Sequence, residues 1–204
     1  YAHPILGIPF LSGQGLLKAA PFVFSPVTLC YNRKLFAQCG LDAPNAEWTW
    51  DTLLRSARLI YQKLGVHGFI SHIQSVNRWP LFLLQNGFRF QVGYGRNAAE
   101  DPSLLESFRI SRDLIYQQGA PALWTEKDAD VENWFKEGKV SMILTTYFGL
   151  NPYMDTALDY GVAPLPALRT NDTLLLSVGL AVNRQSAHPE AAERLIHFLC
   201  GLDV

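Results

Sequence analysis

Two short stretches gather side chains suited to holding a polyhydroxylated molecule without reacting with it. Gln74, Asn77, Arg78 and Trp79 follow one predicted strand, and Tyr147 and Phe148 follow another. Planar amide and guanidinium groups supply the hydrogen bonds that sugar hydroxyls need, and aromatic rings accept the C–H faces of a sugar. The same rings would also serve in a core, where aromatics are common. Composition by itself leaves both readings open.

Patterns for other chemistry fall short. Gly93-Tyr94-Gly95-Arg96-Asn97-Ala98 fits a loose G-x-G-x-x-A dinucleotide pattern. That pattern has meaning only where a strand ends and a helix begins at once, and here the helix signal begins near Pro102. A glycine turn is the expectation. Asp128, Asp130 and Glu132 alternate somewhat as in a calcium loop, but the sharp-turn glycine and the later bidentate glutamate are missing. They read as the acidic start of a helix. His3, His67, His72, His188 and His197 are scattered without metal-ligand spacing. No nucleophile elbow, His-Glu-x-x-His or phosphate loop occurs. A carboxylate-pair glycosidase leaves no local motif and so stands as a lesser reading. The leading expectation is a binder and not an enzyme, with no cofactor, metal or catalytic residue assigned.

The bulk properties agree with a folded binder of neutral molecules. The chain has 204 residues with 49% apolar and 12% aromatic side chains, enough to build a core. Lys and Arg total 17 against 18 Asp and Glu, so the net charge is −1. That balance gives no footprint for direct nucleic-acid binding or for an anionic membrane. No apolar run approaches the ~20 residues of a membrane span. The chain opens on Tyr1 without a Met, as a mature export product or a piece of a longer protein would. Three cysteines, Cys30, Cys39 and Cys200, are too few for a disulfide framework. Cys30 and Cys39 could pair if oxidised, but their apolar neighbours favour buried free thiols.

Positioning the candidate residues requires an alternation of strands and helices. Extended runs are predicted at Ile5 to Phe10, before a Gly-rich loop at Ser12 to Gly15, and at Phe22 to Tyr31. A helix from Lys34 to Gln38 stops at Gly40. Thr49 caps another, whose Leu53, Ala57, Ile60, Tyr61 and Leu64 share one face. Gly68 to Ser71 reads as a strand, Pro80 to Gln85 as a helix ended by Gly87, and Pro102 as the start of a helix with Leu105, Phe108 and Ile115 in one stripe. Strands follow at Val140 to Leu144, Gly161 to Leu165 and Leu174 to Val182. A last helix begins at Pro189, with Ala192, Leu195, Ile196 and Leu199 on one face. This order predicts an α/β fold with a substantially parallel sheet.

The segments also fall in a recognisable order. Ser25-Pro26-Val27-Thr28-Leu29-Cys30-Tyr31-Asn32-Arg33-Lys34-Leu35-Phe36 resembles the hinge strand and "YNKDLF" helix of family 1 extracellular solute-binding proteins. Gly40 to Pro44 with Trp48 to Asp51 is similar to that family's "GL-x-x-P…TWDEL", and Trp79 to Leu81 with Gln85 to Gly87 to its "W…LLQNGG". Phe135 to Met142 is similar to "F-x-x-GKVAM", Asp159 to Pro166 to "DYGVAPLP", and Gly179 to Val182 with His188 to Ala192 to "GLAI…HPEAA". Each piece is weak alone; six in order over nearly the whole chain are specific. The maltose- and oligosaccharide-binding members resemble it most.

The resemblance implies a type II periplasmic-binding-protein-like fold, two α/β lobes joined by crossing strands, with ligand in the cleft between them. Residues 27–176 would form the second lobe. Residues 1–26 and 177–204 would form hinge strands and part of the first lobe, the remainder of which is not in the sequence. It further implies that Trp79, with Gln74 and Asn77 before it, lies by the sugar-contacting loop. Phe148, beside Tyr147, would take the place of a sugar-stacking ring, and Ser25 and Ser177 would face the cleft from the hinge strands. The expected partners are a small sugar or oligosaccharide and the membrane subunits of an ABC importer, in an extracytoplasmic setting. The alternative is the same fold as the ligand-sensing domain of a cytoplasmic transcription regulator, fused to a DNA-binding domain.

Overall fold

A 13-residue strand, β1 (Ala20–Asn32), is the element around which the sheet is organised. Its length and its Val, Thr, Phe and Tyr content suit a pleated, buried surface. In the computed structural model, which describes residues 10–12, 14–70, 78–88, 101–116 and 128–201, burial along β1 rises toward its C-terminal end. Strand β2 (Met142–Thr146) and strand β3 (Tyr160–Ala163) flank it in the order β2-β1-β3, and β4 (Leu175–Leu180) also pairs with β1.

The ladders of β1 with β2 and with β3 are both antiparallel, with Leu29 opposite Leu144 on one side and Ala163 on the other. This corrects the expectation of a substantially parallel sheet. Parallel pairing occurs in isolated bridges, His67 to Val140, Ile70 to Ile143 and Thr49 to Ala167. Alternation of helix and strand fixes direction only where a crossover helix joins neighbouring strands. Several helices, not a single crossover, separate β1 from β2 in the chain, so their order does not fix the direction of pairing. The predicted strand from Gly68 is likewise reduced, over its described residues, to the bridge at Ile70, and Ser71 lies outside the described residues.

The helices begin and end where local chemistry directs. Asn32 Oδ1 accepts from Leu35 N at 3.1 Å to start α1 (Arg33–Cys39), and Gly40 closes it at φ 67°. Thr49 Oγ1 accepts from Thr52 N at 3.2 Å to start α2 (Trp50–Leu64), which buries Leu53, Ala57 and Ile60. Helices α3 (Pro80–Gln85), α4 (Pro102–Tyr116), α5 (Asp128–Lys136) and α6 (Asn151–Met154) follow. α5 buries Val131 and Phe135 against β1 and β2, in a cluster with Cys30, Ile70, Val140, Ile143 and Tyr153. On α4, Leu105 and Phe108 are exposed, so the predicted stripe does not face a core at those two positions.

The chain divides into two compact units, Pro26–Leu174 and a smaller one of Tyr1–Ser25 with Leu175–Val204. The smaller unit holds β4 and α7 (Pro189–Leu199). Close packing there is marked by Gly179, where a Cβ would stand 2.6 Å from the Phe10 ring. On α7, Ala192 and Ile196 are half-buried while Leu195 and Leu199 are exposed, so the predicted face is only partly covered. Cys30, Cys39 and Cys200 are all free thiols, the first two buried. The predicted strand at Ile5 to Phe10, all but its last residue, and the glycine turn at Gly93 lie outside the described residues. Among the described residues no helix is long and apolar enough to cross a membrane.

Candidate functional site

The C-terminal end of β2 brings two rings to the surface. Every residue of β2 is buried, so the strand itself offers no side chain to a ligand. At its end the chain turns abruptly into a 3-10 helix, Phe148–Leu150. Thr146 Oγ1 accepts from Gly149 N at 3.3 Å, and Gly149 approaches so closely that a Cβ would lie 2.2 Å from Thr145 Oγ1. Only glycine permits that approach. The tight turn leaves Tyr147 58% and Phe148 37% exposed. Neither ring is fully buried in the core.

A second segment of the same unit is tied to the middle of this strand. Arg78 is only 8% exposed, and its Nε donates to the carbonyl oxygen of Leu144 at 3.2 Å. Leu144 stands three residues before Tyr147. Trp79 takes the N-cap position of α3 with Pro80 next to it, and it is half-buried with its ring stacked on Phe108 at 5.6 Å and 20°. Helix α3 cannot shift freely, because Pro80, Leu81, Phe82, Leu83 and Gln85 are all buried. Gln85 Oε1 accepts from Trp50 Nε1 at 2.8 Å and its Nε2 donates to Asp172 O at 3.0 Å.

The remaining predicted residues divide between the other unit and the undescribed stretch. Ser25 is fully buried at the edge of the smaller unit. Ser177 lies on β4 in that unit, and its buried Oγ has no hydrogen-bond partner among the described residues. Gln74 and Asn77 lie outside the described residues. Sequence reasoning missed Phe108 as a surface ring, because its helical spacing from Leu105 looked like an inward stripe. It also missed the role of Gln85, whose side chain meets a Trp 35 positions away.

Among the described residues the two large shifts lie in the core beside β2, while at the surface the hydrogen bond to Asp159 holds the Arg33 guanidinium above its ordinary value. Burial pushes the Cys30 thiol up to about 12, with smaller opposing influences from the Tyr31 backbone and Arg33. Burial likewise raises the Tyr153 hydroxyl well above its ordinary value. These groups are held neutral, which suits a core and not proton transfer. Among the described residues no group of three or more His, Cys, Asp or Glu could hold a metal ion. The described arrangement places two partly exposed rings at the end of a fully buried strand.

A family profile described as bacterial extracellular solute-binding protein matches residues 5–201. The chain belongs to that family. Relatives of this solute-binding protein include a binding protein of Brucella abortus, 28% identical over 196 residues, which are 91% of this chain and 47% of the relative. Another is the sn-glycerol-3-phosphate-binding periplasmic protein UgpB of Agrobacterium fabrum, 24% identical over 75% of this chain and 36% of the relative. Among solved structures, an ABC substrate-binding protein from Listeria monocytogenes in complex with cycloalternan superposes with TM-score 0.81 at 21% identity, covering 97% of this chain and 51% of that one. Maltose-bound MalE3 of T. maritima gives 0.80 at 23% identity, covering 97% and 53%. These likenesses establish the type II periplasmic-binding-protein-like α/β fold. The solute-binding chain spans about half the length of the relatives it matches.

Proposed function

We propose that this chain contributes to reversible binding of a neutral carbohydrate, as part of the solute-binding component of an ABC sugar importer working outside the cytoplasm. The observation that carries the reading is the pair of exposed rings, Tyr147 and Phe148, at the end of a strand whose own residues are all buried. A rigid frame that displays aromatic faces suits the C–H faces of a sugar. The cycloalternan and maltose held by the two solved structures of like fold support the same class of ligand.

In this reading residues 27–176 are the second lobe, and residues 1–26 and 177–204 are hinge strands with part of the first. The division of the chain after Ser25 and after Leu174 supports that placement. Trp79, Arg78, Gln74 and Asn77 would border the ligand with Tyr147 and Phe148, while Ser25 and Ser177 would serve at the hinge. Closure around the ligand would couple occupancy to the membrane subunits.

A charged ligand is the competing chemistry, since one relative bears the name of an sn-glycerol-3-phosphate binder. A phosphate needs donors free to turn toward it. Arg78, the cation next to Trp79, is only 8% exposed and gives its Nε to a main-chain carbonyl of β2, which favours a positioning role over a phosphate grip. Titration calorimetry on a polypeptide that contains both lobes decides between them. The panel comprises maltooligosaccharides, alditols and sn-glycerol 3-phosphate. Saturable binding of a neutral member is expected. Binding of the phosphate ester alone, or of nothing, defeats the reading.

A further inference from the structure

We infer that Thr173 is a positioning residue, whose hydroxyl must clamp the return segment, residues 167–174 between β3 and β4, onto β1 for the site to keep its ligand. This deepens the carbohydrate reading above and rests on it. Val27 of β1 is only 1% exposed, and both of its main-chain groups are taken by that segment. Thr173 Oγ1 donates to Val27 O at 2.7 Å, and Val27 N donates to Leu174 O at 2.9 Å. Thr173 itself is exposed, so a surface hydroxyl satisfies a buried carbonyl.

The N–H and C=O of one strand residue point to the same edge of the strand. Val27 gives both to the return segment, so toward β2 it faces Thr146 as a pair without mutual hydrogen bonds. Thr146 Oγ1 in turn accepts from Gly149 N at 3.3 Å, next to Phe148. A single residue of β1 thus stands between the return segment and the strand end that carries the two rings. Upstream of the clamp the segment is pinned along its length. Gln85 Nε2 donates to Asp172 O at 3.0 Å, Gln85 O accepts from Arg169 N at 3.2 Å, and Ala167 N donates to Trp48 O at 2.8 Å. The larger unit ends beside the clamp, at Pro26 on β1 and at Leu174. Both chain connections to the smaller unit therefore leave from this point, and a movement carried along either of them meets the larger unit first at Val27.

The test compares Thr173→Val and Thr173→Ser with the wild-type polypeptide containing both lobes. Valine keeps the branched shape and removes the donor, whereas serine keeps the donor. Amide hydrogen exchange is followed by NMR on isotope-labelled protein. The Val27 amide should exchange about two- to tenfold faster in Thr173→Val, as the loss of one hydrogen bond dictates, and close to the wild-type rate in Thr173→Ser. Exchange in Thr173→Val should be insensitive to low urea, the mark of a local opening and not of general instability. Saturating maltooligosaccharide should then slow it by about tenfold or more, because a ligand that binds only the clamped form draws the population back to it. The proposal is overturned by unchanged Val27 exchange in Thr173→Val, by loss of protection in Thr173→Ser, or by exchange that rises with urea. Saccharide that binds without slowing Val27 exchange overturns it too, and leaves the carbohydrate reading intact. A wild-type protein that binds no saccharide removes that reading first and this inference with it.

Discussion

Arg78 donates from Nε to the main-chain carbonyl of Leu144 at 3.2 Å, a buried hydrogen bond between residues 66 positions apart. It ties the start of α3 to the middle of β2, and so fixes Trp79 with respect to the strand that ends in Tyr147 and Phe148. Charged donors make stronger bonds than neutral ones, and losing one from a buried carbonyl leaves that oxygen without its partner. Arg78→Ala should therefore lower the unfolding free energy by about 1.5–3 kcal/mol, measured by denaturant titration. Arg78→Lys should recover little, because an ammonium does not reproduce the planar fork. Wild-type stability in Arg78→Ala would show that the bond has no structural role.

Phe148 is 37% exposed, so its truncation tests binding more than it tests the core. Phe148→Ala should weaken saccharide binding by about 1–3 kcal/mol in calorimetry of a variant still folded by circular dichroism. Unchanged affinity in a folded variant would reduce Phe148 to an incidental surface ring.

Gln85 joins three distant segments through one side chain, accepting from Trp50 Nε1 and donating to Asp172 O. Gln85→Leu preserves volume but strands the buried indole N–H. The expected loss is about 1–3 kcal/mol of stability. Wild-type unfolding in urea would mean the indole N–H finds another partner.

Gly68 lies so close to α2 that an added Cβ would stand 2.2 Å from Ala57 Cα and 2.3 Å from Ala57 O. Backbone atoms cannot rotate away, so Gly68→Ala must push α2 off the sheet. A cost of about 1–3 kcal/mol is expected from such overpacking. A melting temperature equal to wild type would indicate that the helix moves freely.

Cys30 carries a pH dependence of definite sign. Burial raises its thiol from 9.0 to about 12, so the folded state holds the proton more tightly than the unfolded chain. The contribution to stability is complete below pH 9 and declines as pH rises from there toward 12. Unfolding titrations between pH 8 and 11 should show lower stability at the upper end, and Cys30→Ala should flatten that slope in part. At pH 8, iodoacetamide should leave Cys30 unmodified in the native protein and label it after denaturation, read by mass spectrometry of peptides.

Most of the local structure was legible in the chain. The Asn32 cap shows only in the structure, but Thr49 announces its helix by capping chemistry, Gly40 ends another by its left-handed φ, and the Leu53, Ala57 and Ile60 spacing faces the core as its period dictates. These are decided by interactions within a few residues, which is why one sequence suffices for them. The order of six short motifs also gave the family, since order along a chain needs no geometry.

What the tertiary structure alone decided is direction and exposure. The antiparallel ladders of β1 depend on how strands distant in sequence meet, and alternation of helix and strand does not encode that. Leu105 and Phe108 have the spacing of a buried stripe, yet they are exposed, while Ser107 between them is buried against Asn86. The same period serves a helix packed by its apolar side or by its polar side. Phe148 and Phe135 are the same residue type 13 positions apart, one at the surface and one fully buried. A side chain's chemistry is carried by the sequence, but what lies against it is set by packing from residues far along the chain.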